Sequence, residues 1–257
     1  MGQLNGKVAL VTGGNAGLGA ATALQFAREG AAVAIAARRT AQGEVMLERI
    51  QALGAEGLYV QADVMRSAEV QAAVKATLDR FGRLDYAVNN AGIAGPVNRP
   101  VAEIDEAQWD QVMDVNLKGV FLGMKYEIPA MLAQGAGAIV NVSSIYGLKP
   151  SDIGHAAYCA SKFGVVGLTR TAAIDYAHAG LRINAVAPGL TRSEMVDPDR
   201  PGSAERYRLM VPRHSAMARL GEAEEVAKAV VWLCSDAASF VNGAVLRIDG
   251  GETTRMY

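Results

Sequence analysis

Short apolar segments alternate with longer segments of helical spacing along most of this 257-residue chain. The apolar segments are rich in Val, Ile and Ala and run continuously, as is typical of parallel strands with helices on both faces. The predicted strands are 7–12, 32–37, 57–61, 84–88, 138–142, 182–187 and 244–248. The predicted helices are 17–28, 40–53, 67–81, 105–134, 156–178 and 222–234. Ser67 is the expected N-cap of the third helix, and Pro129 is expected to kink or end the fourth.

Strands separated by helices require right-handed crossover connections, and these build a doubly wound parallel sheet. We therefore predict an α/β fold with one seven-stranded parallel sheet flanked by helices. No linker-like composition interrupts the alternation, so we expect a single domain over residues 1–257.

The composition argues against several classes of function. A net charge of −1 gives no sign of a nucleic-acid surface or an anionic-membrane surface. Two cysteines in a chain of this size do not form a disulfide framework, and no metal-ligand spacing appears. No apolar run reaches membrane-spanning length and no leader is apparent, so a cytoplasmic protein is expected.

A glycine-rich segment, residues 12–19, joins the first predicted strand to the first predicted helix. At this place a parallel sheet binds a dinucleotide pyrophosphate, because glycine permits close backbone approach and the helix N-terminus offers unpaired N–H groups. The spacing of Gly13, Gly17 and Gly19 differs from the G-x-G-x-x-G fingerprint. The alternative is a tight turn that binds nothing.

The second predicted strand ends in Arg38 and Arg39, with no carboxylate. An acidic residue near this position would bind the adenosine ribose of NAD, whereas an arginine can bind the 2′-phosphate of NADP through its planar guanidinium group. NADP is therefore the favoured cofactor, and NAD remains possible. Alternatively, both arginines are solvated charges at the start of a helix.

Tyr158 and Lys162 are four residues apart in a predicted helix and so lie on one face. A nearby ammonium favours the phenolate form of tyrosine, so Lys162 is expected to lower the pKa of Tyr158. Such a phenol would exchange a proton with a substrate oxygen near neutral pH.

Several short motifs occur along the chain in the order that is typical of one protein family. They are 12–19, 62–64, 89–92, 115–119, 141–144, Tyr158 with Lys162, 188–189 and 248–251. Over residues 7–251 the chain resembles the short-chain dehydrogenase/reductases, which are Rossmann-fold enzymes. The resemblance implies hydride transfer between a nicotinamide dinucleotide and a small carbonyl or alcohol substrate.

The resemblance also assigns catalytic roles. Tyr158 is the implied general acid for carbonyl reduction, and Lys162 lowers its pKa and binds the nicotinamide ribose. Ser144 holds the substrate oxygen, although Ser143 competes for this role, and Asn116 positions a water in a proton relay. Ser144 precedes Tyr158 by fourteen residues, one more than is usual in the family, and the extra residue falls in the loop 149–155.

The implied cofactor contacts spread over six segments. Asp63 and Val64 are expected at the adenine ring, and either Thr191 or Ser193 is expected at the nicotinamide amide. The remaining expected contacts are Gly13, Asn15, Gly17, Leu18, Gly19, Arg38, Arg39, Asn90, Ala91, Gly92, Tyr158, Lys162, Pro188 and Gly189.

Residues 192–220 are rich in charge, Pro and Gly, and they lie where the family carries a substrate lid. The side chains that could line an apolar pocket there are Met195, Val196, Tyr207, Met210 and Met217, with ordinary core packing as the alternative. His155 is expected at the surface, with a position facing the substrate as the alternative.

Three alternatives stay open at this stage. The first is an NAD-dependent alcohol dehydrogenase of the same family. The second is a non-redox relative, which would tend to lose the glycine loop and the lysine, and the third is a silent dinucleotide-binding regulator. Family members are often homotetramers, here expected to assemble through the helices 105–134 and 156–178.

Overall fold

Seven parallel strands lie in one sheet in a computed structural model that describes residues 2–254. The strands are β1 Val8–Thr12, β2 Ala32–Ala37, β3 Gly57–Gln61, β4 Tyr86–Asn89, β5 Gly137–Val142, β6 Leu181–Pro188 and β7 Val245–Ile248. The helices of the described residues are α1 Gly17–Arg28, α2 Thr40–Ala52, α3 Ser67–Phe81, α4 Glu106–Met113, α5 Gly119–Gln134, α6 Ala156–Tyr176, α7 Ala204–His214 and α8 Ala223–Cys234. The α/β prediction is confirmed, whereas the ends of the expected 1–257 domain lie outside the described residues.

The strand order is β3-β2-β1-β4-β5-β6-β7, and every neighbouring pair is parallel. The order reverses between β1 and β4, so the crossover helices leave opposite faces of the sheet on the two sides of this point. In open parallel sheets, ligands bind outside the carboxyl ends of the strands at such a reversal. The fold therefore places any dinucleotide site above β1 and β4.

Both faces of the sheet are buried, and alternate residues of each strand serve different cores. In β1, Val11 packs into the core that contains α1 and α8, whereas Leu10 packs into the core under α3, α5 and α6. In β5, Val140 and Ile139 divide in the same way. Because the inner strands β1 and β2 are covered on both sides, their sequences read as continuous apolar runs.

Two local predictions were wrong. The expected single helix 105–134 is broken into α4 and α5 by a π-helical turn at Asp114–Lys118, and Pro129 lies within α5 rather than at its end. Ser67 is the first residue of α3 and makes no capping bond; its hydroxyl instead pairs with the Tyr126 hydroxyl at 2.6 Å. This tertiary partner competes with the local cap.

Helix α7 lies inside the segment expected to form a lid and was not predicted from the sequence. Among the helices that the structure describes, none has the length and apolar content needed to cross a bilayer.

Candidate active site

A cavity of about 760 Å³ opens at the carboxyl ends of the strands, beside the reversal in strand order. All but two of the expected site residues line it. They are Gly13, Asn15, Gly17, Leu18, Arg38, Arg39, Asp63, Val64, Asn90, Ala91, Gly92, Ser144, Tyr158, Lys162, Pro188, Gly189, Thr191 and Ser193. The two exceptions, Gly19 and Asn116, are buried immediately behind the wall.

The glycine loop folds back onto the segment that follows β4. Gly13 has a φ of +64°, which favours glycine, and a Cβ atom at Gly19 would lie only 2.2 Å from the Gly13 carbonyl oxygen. Asn90 fixes this arrangement, because its Nδ2 donates to the carbonyl oxygens of Thr12 at 3.0 Å and Gly13 at 3.3 Å. Glycine is therefore required at position 19 for close packing within the loop.

The same loop leaves hydrogen-bond donors without partners. Helix α1 begins at Gly17 with no side-chain cap, so its first N–H groups face the cavity end of the helix uncapped. The buried Asn15 Nδ2 also has no hydrogen-bond partner. Unsatisfied donors at a helix N-terminus fit a pyrophosphate group, so these residues suit a dinucleotide cofactor.

Arg38 and Arg39 follow β2 and are both exposed. Arg39 donates to Glu194 in the expected lid, at 2.9 Å from its Nη2 to Oε2. Within residues 2–254, the Arg38 side chain forms no ion pair with an acidic group. The two arginines therefore differ in how readily each can turn toward a ligand phosphate.

Asp63 and Val64 close the far end of this region. The Asp63 backbone N–H donates to Glu69 Oε2 at 2.8 Å, and its own carboxylate accepts from the Met65 N–H at 3.0 Å. Val64 packs against the start of α5, where a Cβ atom at Gly119 would lie 3.0 Å from Val64 Cγ2. Both positions are held rigidly by their neighbours.

The second half of the cavity contains Tyr158, Lys162 and the two serines. Ser144 acts on the Tyr158 phenol through a side-chain hydrogen bond, whereas the Ser143 hydroxyl donates to the Lys162 carbonyl oxygen at 3.0 Å. Only Ser144 therefore has its hydroxyl beside the phenol. The Lys162 Nζ donates to the Val142 carbonyl oxygen at 2.8 Å and lies 5.5 Å from the centroid of the Tyr158 ring.

The protonation equilibria differ from the sequence expectation. Burial raises the pKa of Tyr158 to about 12, and the hydrogen bond from Ser144 offsets only part of this rise. Burial also lowers the pKa of Lys162 to about 8. Lys162 was expected to lower the pKa of Tyr158, but desolvation of the phenolate is the larger effect here. Tyr158 is consequently a neutral phenol at pH 7.

Asn116 lies in the π-helical turn between α4 and α5 and is fully buried. Its Oδ1 accepts from the Ile93 N–H at 2.8 Å, and its Nδ2 donates to the Ile93 carbonyl oxygen at 2.9 Å and to Ser161 Oγ at 3.2 Å. The extra residue of a π-helical turn reorients a side chain, and such turns are frequent at functional sites. The turn thus brings Asn116 against the segment that follows β4, which lines the cavity.

Two aromatic rings pack around the phenol, and no sequence pattern predicted this cluster. His155 was expected at the surface but is buried, and its ring stacks on Tyr158 with centroids 4.5 Å apart and planes at 7°. Its Nε2 donates to the Ala94 carbonyl oxygen at 2.7 Å, and burial lowers its pKa. Tyr146 meets both rings edge-on, at 5.9 and 6.4 Å. The sequence alternative for His155, a position facing the substrate, agrees with its place in the cavity wall.

The expected lid contributes one wall of the cavity. Met195, Val196, Tyr207 and Met210 line it, as predicted. Met217 does not line it; this residue is 63% exposed and faces a neighbouring cleft. Thr191 and Ser193 both line the cavity, but their hydroxyls already bond the Gly189 carbonyl oxygen and the Val196 N–H.

Glu252 was not singled out in the sequence, yet it lies in the wall of the same cavity. Its Oε1 accepts from Lys149 Nζ at 2.8 Å and pairs with His214 Nδ1 at 2.9 Å. These three residues come from the loop after β5, the end of α7 and the segment after β7. Because these residues are far apart in the chain, no local sequence pattern marks them as a group.

Comparison with known proteins identifies the family. A family model described as enoyl-(acyl carrier protein) reductase matches residues 13–253. The chain is 44% identical over 256 residues to an A-factor type gamma-butyrolactone 1′-reductase of Streptomyces virginiae, covering 98% of this chain and 97% of that protein. It is 42% identical over 253 residues to a short chain dehydrogenase/reductase of Aspergillus oryzae, covering 97% and 95%. The chain belongs to the short-chain dehydrogenase/reductase family.

A solved structure of levodione reductase has the same fold. It superposes with a TM-score of 0.91 at 40% sequence identity, covering 98% of this chain and 100% of that one. As a short-chain dehydrogenase/reductase, the protein is an NAD(P)-dependent oxidoreductase that acts on CH–OH groups or the corresponding carbonyls. The donor-rich glycine loop and the neutral phenol lie in one cavity, as that chemistry requires.

Proposed function

We propose that this short-chain dehydrogenase/reductase is an NADP(H)-dependent reductase of ketones or aldehydes, reversible toward the alcohol. Ser144, Tyr158, Lys162 and Asn116 are its catalytic set. The observation that carries the proposal is the placement of Ser144, Tyr158 and Lys162 in the wall of the cavity that the glycine loop also lines, with Lys162 Nζ 5.5 Å from the centroid of the Tyr158 ring.

The bound nicotinamide dinucleotide supplies the hydride for carbonyl reduction. The Ser144 hydroxyl donates a hydrogen bond to the substrate oxygen, and Tyr158 gives its proton to this oxygen as negative charge develops there. With a pKa of about 12, the phenol carries its proton at pH 7 and is ready to act as the acid. The Lys162 ammonium stabilises the phenolate that is left.

Asn116 belongs to the route by which the proton is replaced. A Cβ atom at Gly92 would lie 3.3 Å from Asn116 Oδ1 and 3.6 Å from Lys162 Nζ. Glycine at position 92 therefore keeps the space between these two polar groups clear for a water that relays a proton to Lys162. Asn116, which is fixed by its two hydrogen bonds to the Ile93 backbone, positions this water.

Arg38 and Arg39 support NADP as the cofactor. Both line the cavity at the end of β2, where the adenosine ribose of a dinucleotide binds in this fold. Arg38 is the better candidate for the 2′-phosphate, because Arg39 is already paired with Glu194. NAD is the alternative cofactor, but the carboxylate that would favour its binding is missing at the end of β2.

The relatives suggest the substrate class. A gamma-butyrolactone 1′-reductase and a levodione reductase each resemble the chain over nearly its whole length. We propose a small-molecule carbonyl substrate, enclosed by residues 192–220 as a lid that carries Met195 and Tyr207 into the cavity. The glycine loop and the buried Lys162 support a redox enzyme over a non-redox relative.

The test is NADPH consumption over a panel of small ketones and aldehydes, with Tyr158→Phe as the blank. The wild type is expected to turn over at least one carbonyl, and the variant is expected to lose about 10²- to 10⁴-fold in kcat. The two proteins should bind NADPH alike. Equal turnover by the variant would remove Tyr158 as the proton donor.

Assembly is a further part of the proposal. Phe121 on α5 and Phe163 on α6 are each 46% exposed, on the two helices expected to form the interface of a homotetramer. Exposed aromatic side chains of this kind favour a protein interface. The mass in solution, measured by light scattering, tests the tetramer. A cytoplasmic location stays a prediction.

A further inference from the structure

The wall of the cavity contains a buried carboxylate oxygen that has no partner. The Glu252 side chain is 1% exposed, and its Oε1 is bound by Lys149 and by His214. Its Oε2 is buried and has no hydrogen-bond partner among residues 2–254. An unsatisfied buried carboxylate oxygen is costly, because its desolvation is uncompensated. Such an atom in a cavity wall is a candidate contact for a ligand.

Glu252 is connected to the catalytic centre through side chains in contact. The Lys149 Nζ that binds Glu252 lies 6.0 Å from the centroid of the Tyr146 ring. Tyr146 in turn packs edge-on against Tyr158, with ring centroids 6.4 Å apart. Glu252 therefore belongs to the half of the cavity that holds the phenol, not to the glycine-loop half.

The chemistry of the group restricts what it can bind. An ionised carboxylate only accepts hydrogen bonds, so its ligand must be a donor. The charge of Glu252 is already balanced by the Lys149 ammonium, 2.8 Å from Oε1. A cationic donor at Oε2 would be repelled by this ammonium, whereas a neutral hydroxyl would not.

A second unpartnered acceptor lines the same part of the cavity. His155 Nε2 pairs with a carbonyl oxygen, which can only accept, so Nε2 carries the proton. Burial lowers the pKa of His155 and favours the neutral ring, in which Nδ1 is an acceptor. Nδ1 is buried and has no hydrogen-bond partner in the part of the chain that the structure describes. This half of the cavity therefore offers acceptors, beyond the reacting centre, to a substrate that carries donors.

We propose that the substrate carries a hydroxyl group in addition to its reacting carbonyl, and that Glu252 Oε2 accepts the hydrogen bond from this hydroxyl. Glu252 is then a specificity-determining residue, and the preferred substrates are hydroxylated ketones and the matching diols. The inference rests on the proposed function for its place in the reaction. The recognition of a hydroxyl can also be measured without turnover.

The experiment compares cyclohexanone with its 2-, 3- and 4-hydroxy derivatives, using the full-length protein and NADPH. The wild type is expected to favour at least one hydroxyketone over cyclohexanone by about 10- to 100-fold in kcat/KM, as for a buried hydrogen bond to a charged group. In Glu252→Gln this ratio is expected to fall below about threefold, with the change confined to the hydroxyketones. Glu44→Gln, which replaces an exposed glutamate on α2, is the matched control and should keep the wild-type ratio.

The outcomes separate the two proposals. Turnover of all four ketones at similar kcat/KM by the wild type overturns the inference and leaves the proposed function standing. An equal loss on every ketone in Glu252→Gln, with a lowered melting temperature, shows that Glu252 only clamps α7 and also overturns the inference.

If no ketone is reduced, the proposed function fails, and binding alone decides the inference. Titration calorimetry then compares the cyclohexane-1,2-, 1,3- and 1,4-diols with cyclohexanol. Tighter binding of a diol by the wild type, lost in Glu252→Gln, supports recognition of a hydroxyl. Equal binding of the diols and cyclohexanol overturns it.

Discussion

Glu127 is a fully buried acid in the core beneath the sheet, and its replacement by glutamine should stabilise the protein at alkaline pH. It lies on α5, where its side chain is buried and its Oε2 accepts from Asn89 Nδ2 at 3.0 Å. Its Oε1 has no hydrogen-bond partner among the described residues. Burial raises the pKa of Glu127 to about 7, and the bond from Asn89 offsets only part of this rise.

The magnitude follows from proton linkage. The unfolded chain holds this carboxyl at its ordinary pKa of 4.5, so between pH 4.5 and about 7 the folded state retains a proton that the unfolded state has lost. The free energy of unfolding therefore falls as the pH rises through this window. The total loss is about 3 kcal/mol, and it is complete above pH 7. Glutamine has no proton to lose, so Glu127→Gln should be spared this loss.

The assay is urea unfolding of the wild type and Glu127→Gln at pH 4 and pH 8, at one ionic strength and one protein concentration. We expect nearly equal stabilities at pH 4 and an advantage of about 3 kcal/mol for the variant at pH 8. Glu44→Gln, at an exposed position on α2, controls for loss of a surface charge. A variant advantage that does not change between pH 4 and pH 8 would refute the reasoning from burial.

Three further predictions concern the site. Arg38→Asp should weaken NADPH binding by about 10- to 100-fold and spare NADH, since a charge-assisted contact to the 2′-phosphate is lost; equal loss for both cofactors in titrations would contradict the assignment. The kcat/KM for carbonyl reduction should decline as the pH rises, with a midpoint near pH 8, because Lys162 loses its proton. In Lys162→Arg, if it folds, the pH profile of kcat/KM should lack this alkaline decline. Gly19→Ala should weaken the binding of both dinucleotides at least about tenfold, because its Cβ would lie 2.2 Å from the Gly13 carbonyl oxygen. Gly167→Ala should bind them normally, because a Cβ atom there would have no described neighbour within 4 Å.

The sheet was predictable because its strands carry their own signal. A strand such as β2, covered on both faces, has to be apolar at every position, and the printed sequence shows this directly. The break at Asp114–Lys118 was not predictable, since the π-helical turn is stabilised by the contact between Asn116 and Ile93, which are distant in the chain. Helix α7 was also missed, because its charged sequence with Pro212 has no buried face to mark it.

The sequence alone determined which chemistry is possible. The glycine loop, the tyrosine and lysine four apart and the two arginines after β2 are local patterns, so their meaning does not depend on distant contacts. The structure decided the protonation state of Tyr158, because the cost of desolvating a phenolate depends on everything packed around it. It also brought His155 onto the phenol and joined Lys149, His214 and Glu252 at the cavity wall. The residues of such clusters come from distant parts of the chain, and only the folded sheet brings those parts together.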